Sequence, residues 1–220
     1  MSYPSYDNCI FASKNVFDAL EAVGETQCCL VGGMALRLNG IRRQVKDLDI
    51  VVLSSETDTE TLKRALVEHE PDRFQLQHPF DSHGTSMKLY YRIPRTAHRI
   101  RIDLLLSTNP EVEIPDGMHQ NHFVYLNGLA TAPLYFLLYH KLLGWDRRIN
   151  SSQQWQREKA TDVDYHDVLR LCDILYRKGV KPLEKTHGGK TYLALFRKRS
   201  DAFGGRYEQA VARRFEKIGL

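Results

Sequence analysis

The 220-residue chain lacks any long hydrophobic run. Its longest uncharged apolar stretch, Leu126 to Leu138, is interrupted by Asn127, Thr131 and Pro133. That falls short of the roughly 20 residues a bilayer span needs, so no membrane helix is expected. The N-terminus, MSYPSYDNCIF, has no basic region followed by an apolar one, which argues against a signal peptide and for a cytoplasmic protein. Cysteine is scarce too. Cys9, Cys28, Cys29 and Cys172 form no C-x-x-C pair, so they read as buried thiols rather than as a disulfide framework or a zinc knuckle. His119 and His122 stand three apart among turn residues, without a cysteine or acidic partner at zinc-ligand spacing. Internal repeats and low-complexity tracts are absent as well.

What is present is an ordinary globular composition, 42% hydrophobic and 26% charged, enough to bury a core. The length suits one medium domain, or one domain with a helical part appended. The net charge of +4 is unevenly placed: residues 190–220 hold 8 basic and 3 acidic side chains, while the segments before them nearly balance. Such a bias is either a phosphate-facing patch or a solvated helix surface.

Periodicity divides the chain in two. Asn15 to Val23 has a helical apolar face and ends at Gly24. Gln27 to Val31, Gly32-Gly33 and Met34 to Leu38 read as strand, glycine turn and helix. Asp47 to Leu53 is a β-branched strand, and Thr57 to Glu70 a helix. Three strand candidates follow, Arg73 to Gln77, Met87 to Ile93 and Arg99 to Leu106, with no helical pattern between them, so a mixed sheet is expected. After a short strand at His122 to Leu126, the chain turns helical: Thr131 to Ile149 with Pro133 in the first turn, Val163 to Tyr176, and two basic segments around Tyr192 to Arg199 and Tyr207 to Ile218. The polar stretch Asn150 to Arg157 reads as a loop. The expected class is α+β: a mixed sheet flanked by helices over residues 1–128, and a helical region over 129–220.

Three acids stand out. Asp47 and Asp49 are two apart on a strand, so both carboxylates leave one face, and such a pair can hold one or two Mg²⁺ ions. The pattern alone is weak, because Asp162 and Asp164 repeat it. Context strengthens it: Asp49 opens Ile50-Val51-Val52-Leu53, a strand that should be buried, where an isolated carboxylate is costly. Asp103 likewise interrupts the apolar alternation of RIRIDLLL and calls for a cation, either a metal or a salt bridge from Arg101 or Arg99. Gly32-Gly33, between strand and helix, lets the backbone approach an anionic ligand. A rival phosphate loop at Gly188-Gly189-Lys190-Thr191 fails, since the Walker pattern requires glycine where Glu184 stands.

Gly32-Gly33, thirteen further residues, Asp47-Leu-Asp49 on a hydrophobic strand and a later Asp103 together resemble the nucleotidyltransferases of the DNA polymerase beta superfamily. The likeness covers roughly residues 27–106, and LVGGMALRLNG...KDLDIVVL is most similar to the minimal and abortive-infection toxin-type members. The resemblance implies that Asp47, Asp49 and Asp103 ligate two Mg²⁺ or Mn²⁺ ions. It also implies that Gly32 and Gly33, with Lys46, meet the phosphates of an NTP. Many members have serine at the position of Gly33; its absence removes a hydroxyl contact but leaves the backbone N–H groups. Lys141 and the acidic cluster of Asp162, Asp164 and Asp167 resemble a lysine and acids found on the helices after the sheet in the toxin-type branch. Lys141 is then a phosphate clamp or a snorkelling surface lysine, and Asp164 a nucleotide-site acid or a helix cap. The implied reaction moves an NMP to a hydroxyl of RNA, protein or a small molecule, with tRNA or another RNA as the favoured partner and no membrane involved. The alternatives are a catalytically inactive binding module and an antibiotic-type adenylyltransferase.

Overall fold

The computed structural model describes residues 3–53, 56–78, 86–115, 118–180 and 189–220. The chain forms two compact units, one of residues 1–114 and 119–132, the other of 115–118 and 133–220. Glu184 and Gly188 of the rejected phosphate loop lie outside the described residues.

The first unit begins with α1 (Tyr6–Ala22), followed by β1 (Cys28–Val31), α2 (Gly32–Leu38), β2 (Asp47–Val52), α3 (Thr59–His69), β3 (Phe74–Gln77), β4 (Lys88–Arg92) and β5 (Arg99–Leu106). It closes with the hairpin β6 (Val124–Leu126) and β7 (Leu129–Thr131). The seven strands lie in the order β3-β4-β5-β2-β1-β7-β6. β2 pairs parallel with β5 and β1 parallel with β7, while the other pairings are antiparallel. The sheet is therefore mixed, as the run of strands without helices between them requires.

Several element ends differ from the local pattern. α1 starts at Tyr6 instead of Asn15, because the Ser5 hydroxyl accepts from the Asn8 N–H at 3.2 Å and caps a helix that begins nine residues earlier than expected. Leu129 to Thr131, the expected beginning of a helical region, is a strand: Leu30 pairs with Thr131, and the Ala132 N–H donates to the Leu30 carbonyl at 2.9 Å. The first unit thus runs to Ala132, four residues past the expected boundary at 128. Alternation on β5 is strict: Ile100, Ile102, Leu104 and Leu106 are buried, and the residues between them are more exposed. α3 packs on β3 and β5 and against α1.

The second unit consists of α4 (Leu134–Ile149), α5 (Gln154–Lys159), a π-helical turn at Ala160–Asp164, α6 (Tyr165–Arg177), α7 (Gly189–Arg206) and α8 (Gln209–Ile218). The polar stretch expected to be a loop contains α5, whose exposed side chains leave no apolar periodicity to read. Trp145, Phe203 and Phe215 are buried where α4, α7 and α8 meet, with the Trp145 and Phe203 rings 4.8 Å apart and edge-on. All four cysteines are buried free thiols; burial pushes Cys9 up to about 11 and Cys28 and Cys172 up to about 12. No helix among the described residues is long and apolar enough to cross a membrane.

Candidate metal and nucleotide site

β1 runs antiparallel to β2, so the end of β1, where the glycine turn begins, lies beside the start of β2, where the acids are; Val31 pairs with Asp49. The parallel register of β2 and β5 sets Asp49 beside Asp103 and Asp47 beside Arg101. Alternation on both strands then directs all three carboxylates to one face. One oxygen from each of Asp47, Asp49 and Asp103 lies within 4.8 Å of the others.

Three carboxylates this close repel one another unless a cation joins them. Arg101 is part of that cation: its Nη2 donates to Asp47 Oδ2 at 2.6 Å and to Asp103 Oδ2 at 2.7 Å. Partial burial alone would lower the Arg101 pKa, but Asp103 and Asp47 outweigh it and hold the guanidinium even more firmly protonated than usual. Asp103 thus makes the salt bridge to Arg101 that the sequence offered as one alternative, and it also lies within the cluster of three carboxylates.

Gly32 completes the arrangement. Its φ is +56°, a left-handed conformation that favours glycine, and a Cβ there would lie 1.8 Å from Asp49 Oδ2. The Asp49 carboxylate occupies the space a side chain would fill. A set of three carboxylates, all oxygen donors and half-exposed, suits a hard divalent cation such as Mg²⁺ or Mn²⁺. The residues therefore fit the metal that the resemblance implies.

The other expected site residues are placed as follows. Gly33 is buried, with the Arg43 guanidinium 3.6 Å from where its Cβ would be. Arg43 was not singled out by the sequence, since nothing local sets it apart from Arg42. Lys46 is exposed, with its Nζ 5.4 Å from the Tyr3 ring centroid. In the second unit, Lys141 Nζ lies 2.9 Å from Asp167 Oδ2 and 3.5 Å from Asp164 Oδ1. Asp164 is fully buried and also accepts from Arg148 Nε at 2.7 Å and Nη2 at 3.2 Å. Asp162 is exposed.

No family model matches the chain, and no curated protein does. Among solved structures, the antigenic nucleotidyltransferase-like protein from Paracoccidioides brasiliensis matches over 98% of this chain and 94% of its own, with TM-score 0.67 and 14% identity. The fold is nucleotidyltransferase-like. JHP933 from Helicobacter pylori matches over 99% of this chain and 90% of its own at 14% identity, with a lower TM-score of 0.43.

Proposed function

We propose that the protein is a metal-dependent nucleotidyltransferase that moves an NMP from an NTP to an acceptor hydroxyl and releases pyrophosphate. The observation that carries this reading is the convergence of Asp47, Asp49 and Asp103 within 4.8 Å, on one sheet face beside the glycine turn. The toxin-type subclass rests on the sequence resemblance alone.

In this reading the three aspartates hold two Mg²⁺ or Mn²⁺ ions, which when bound would lower the pKa of the acceptor hydroxyl and offset the charge of the triphosphate. Arg101 yields Asp47 and Asp103 to them. The backbone at Gly32 and Gly33, with Lys46, receives the phosphates. The acceptor oxygen bonds to the α-phosphorus, its proton passes to Asp103, and the bond from the α-phosphorus to the bridging oxygen breaks as pyrophosphate leaves. The favoured acceptor is RNA, including a tRNA end.

Incubation of the protein with each labelled NTP, Mg²⁺ or Mn²⁺, and RNA, cell lysate protein or small hydroxyl compounds tests the reading. Labelled acceptor and pyrophosphate are expected, and both should vanish in Asp47→Ala. Absence of transfer, together with absence of calorimetric metal and NTP binding, overturns it. A second reading, a nucleotide-binding module without turnover, is favoured by one observation: Arg101 already bridges two of the three acids. Metal and NTP binding without transfer to any acceptor would establish that reading instead.

A further inference from the structure

β4 and β5 have the sequences KLYYR and RIRIDLLL, and alternation sorts each onto two faces. Leu89, Tyr91, Ile100 and Ile102 are buried on one. On the other, Arg92 stands opposite Arg99 and Tyr90 opposite Arg101, while Gln75 and Gln77 of β3 pair with Tyr90 and Lys88. Lys88, Arg92 and Arg99 are exposed, and Tyr90 is half-buried. The Arg99 guanidinium lies over the Tyr90 ring, 4.5 Å from its centroid, and Arg92 Nη2 donates to Gln75 Oε1 at 3.2 Å. Among the described residues no carboxylate lies at ion-pair distance from Lys88, Arg92 or Arg99.

Two arginines directly opposite one another on neighbouring strands destabilise the sheet. Charged residues on strands often serve to block edge-to-edge association, but β4 and β5 are interior strands, and the edge strand β3 carries Gln75 opposite Tyr90 and Gln77 opposite Lys88. Edge protection therefore does not account for the arrangement, whereas a bound polyanion would offset it. The aromatic ring narrows the class. Cations flanking a stacked tyrosine suit phosphodiesters interleaved with bases, since an arginine meets the phosphate oxygens while the ring accepts a base face. The patch also leads to the acids: Tyr90 neighbours Arg101, which touches Asp47 and Asp103.

We infer that this face of β4 and β5 seats a single-stranded nucleic acid segment and brings its terminal hydroxyl to the three aspartates. The inference rests on the proposed transfer reaction and names the surface that holds its acceptor. The Lys88, Tyr90, Arg92 and Arg99 side chains bind and orient the strand, and none of them takes part in the chemistry.

The test measures binding of a fluorescent single-stranded RNA oligonucleotide to the full chain across a salt series, without NTP. Arg92→Glu combined with Arg99→Glu should weaken binding at least ~10-fold at low salt. Tyr90→Leu should weaken it by ~5-fold or more, the scale of one lost base stack, and leave the salt slope unchanged. The milder pair Arg92→Gln and Arg99→Gln relieves the cross-strand repulsion, so it should fold, and it should reduce the salt slope by ~1.4, two phosphate contacts on a single strand. Calorimetric binding of metal and NTP should be the same in all of these variants as in wild type. Unchanged oligonucleotide affinity in both arginine pairs overturns the inference, as does a loss confined to reversal of Lys198 and Arg213 in the basic C-terminal segment. Equal binding of a poly-glutamate peptide, lost in the same variants, overturns the nucleic-acid assignment in favour of an acidic protein. If wild type binds the oligonucleotide through these residues but binds no metal or NTP, the transfer reading fails while the surface stands.

Discussion

At the residue scale, the candidate site sets Arg101 between two of its three carboxylates, Asp47 and Asp103. Removing that arginine separates its two roles. Arg101→Gln leaves Asp47 and Asp103 without their shared donor, so the metal-free protein should lose ~1–2 kcal/mol, a charged hydrogen-bond value reduced for partial exposure. The same change removes a competing cation, so Mg²⁺ or Mn²⁺ should bind more tightly, by about tenfold. Denaturant unfolding and calorimetry read the two effects, and weaker metal binding in the variant would mean that Arg101 supports the metal instead of competing with it. Gly32→Ala tests the other side of the site. Its left-handed backbone costs ~1 kcal/mol with alanine, and the new Cβ displaces the Asp49 carboxylate from 1.8 Å away. Metal affinity should fall along with stability; full affinity would show that Asp49 is not positioned by this contact.

At the element scale, two polar networks join segments distant in sequence. Lys63 on α3 is buried, and its Nζ donates to Glu60 Oε1 at 2.7 Å, Ser86 Oγ at 3.0 Å and the Met87 carbonyl at 2.7 Å, tying the helix to the approach to β4. Burial acts to raise the Glu60 pKa, but the hydrogen bonds from Lys63 and Ser86 and the lysine charge outweigh it and set it below its usual 4.5. A depressed carboxylate contributes stability that is present above about pH 4.5 and lost as pH falls through the folded value. Glu60→Gln should therefore cost ~1 kcal/mol or less at pH 7, given its partial exposure, and converge with wild type in strong acid. Unfolding curves at several pH values check the convergence, and a constant gap would exclude the linkage.

The second network joins α4, the π-helical turn and α6 through Lys141, Arg148, Asp164 and Asp167. Gly144 leaves room for it, since a Cβ there would lie 2.8 Å from an Arg148 guanidinium nitrogen. Lys141→Ala removes a cation from Asp167 and from Asp164, which keeps Arg148. A loss of ~2–3 kcal/mol in urea unfolding is expected, below the full value for a broken buried pair because Arg148 remains. Little loss of stability with weakened NTP binding would instead make nucleotide contact the main role of Lys141.

At the scale of the whole molecule, charge and ligand linkage govern behaviour. The C-terminal excess of positive charge is not all available to a partner: Arg214 pairs with Asp173, and Arg199 lies 3.6 Å from Asp146 and donates to the Tyr139 hydroxyl at 2.8 Å. Lys198 and Arg213 are exposed. Metal and NTP together at about 100 times Kd should stabilise the native chain by ~2.7 kcal/mol. That corresponds to a rise in Tm of ~5–10 °C for a chain of this size. A thermal shift assay should show the rise in wild type and none in Asp47→Ala; an equal rise in both would place the nucleotide elsewhere.

Most strands, the mixed sheet and the shared face of Asp47 and Asp49 were legible in the sequence, because alternation and β-branching are local properties of each segment. Asp103 was legible as an anomaly, a charge inside an apolar alternation. Local pattern said less where packing decides. β7 is three residues long and is a strand only through its pairing with β1 and β6, and α5 has no buried face to betray it. Which strands are neighbours, and in what register, was decided by tertiary structure alone. A shift of one residue between β2 and β5 would turn Asp103 away from Asp49, and only burial of Ile102 and Leu104 beside Leu48 and Ile50 forbids it. The choice of Arg101 over Arg99 as the bridging cation follows from the same register, which places Arg101 beside Asp47 and leaves Arg99 over Tyr90. Sequence thus determined which residues carry charge on which face, and the long-range pairing of strands determined which of those charges meet.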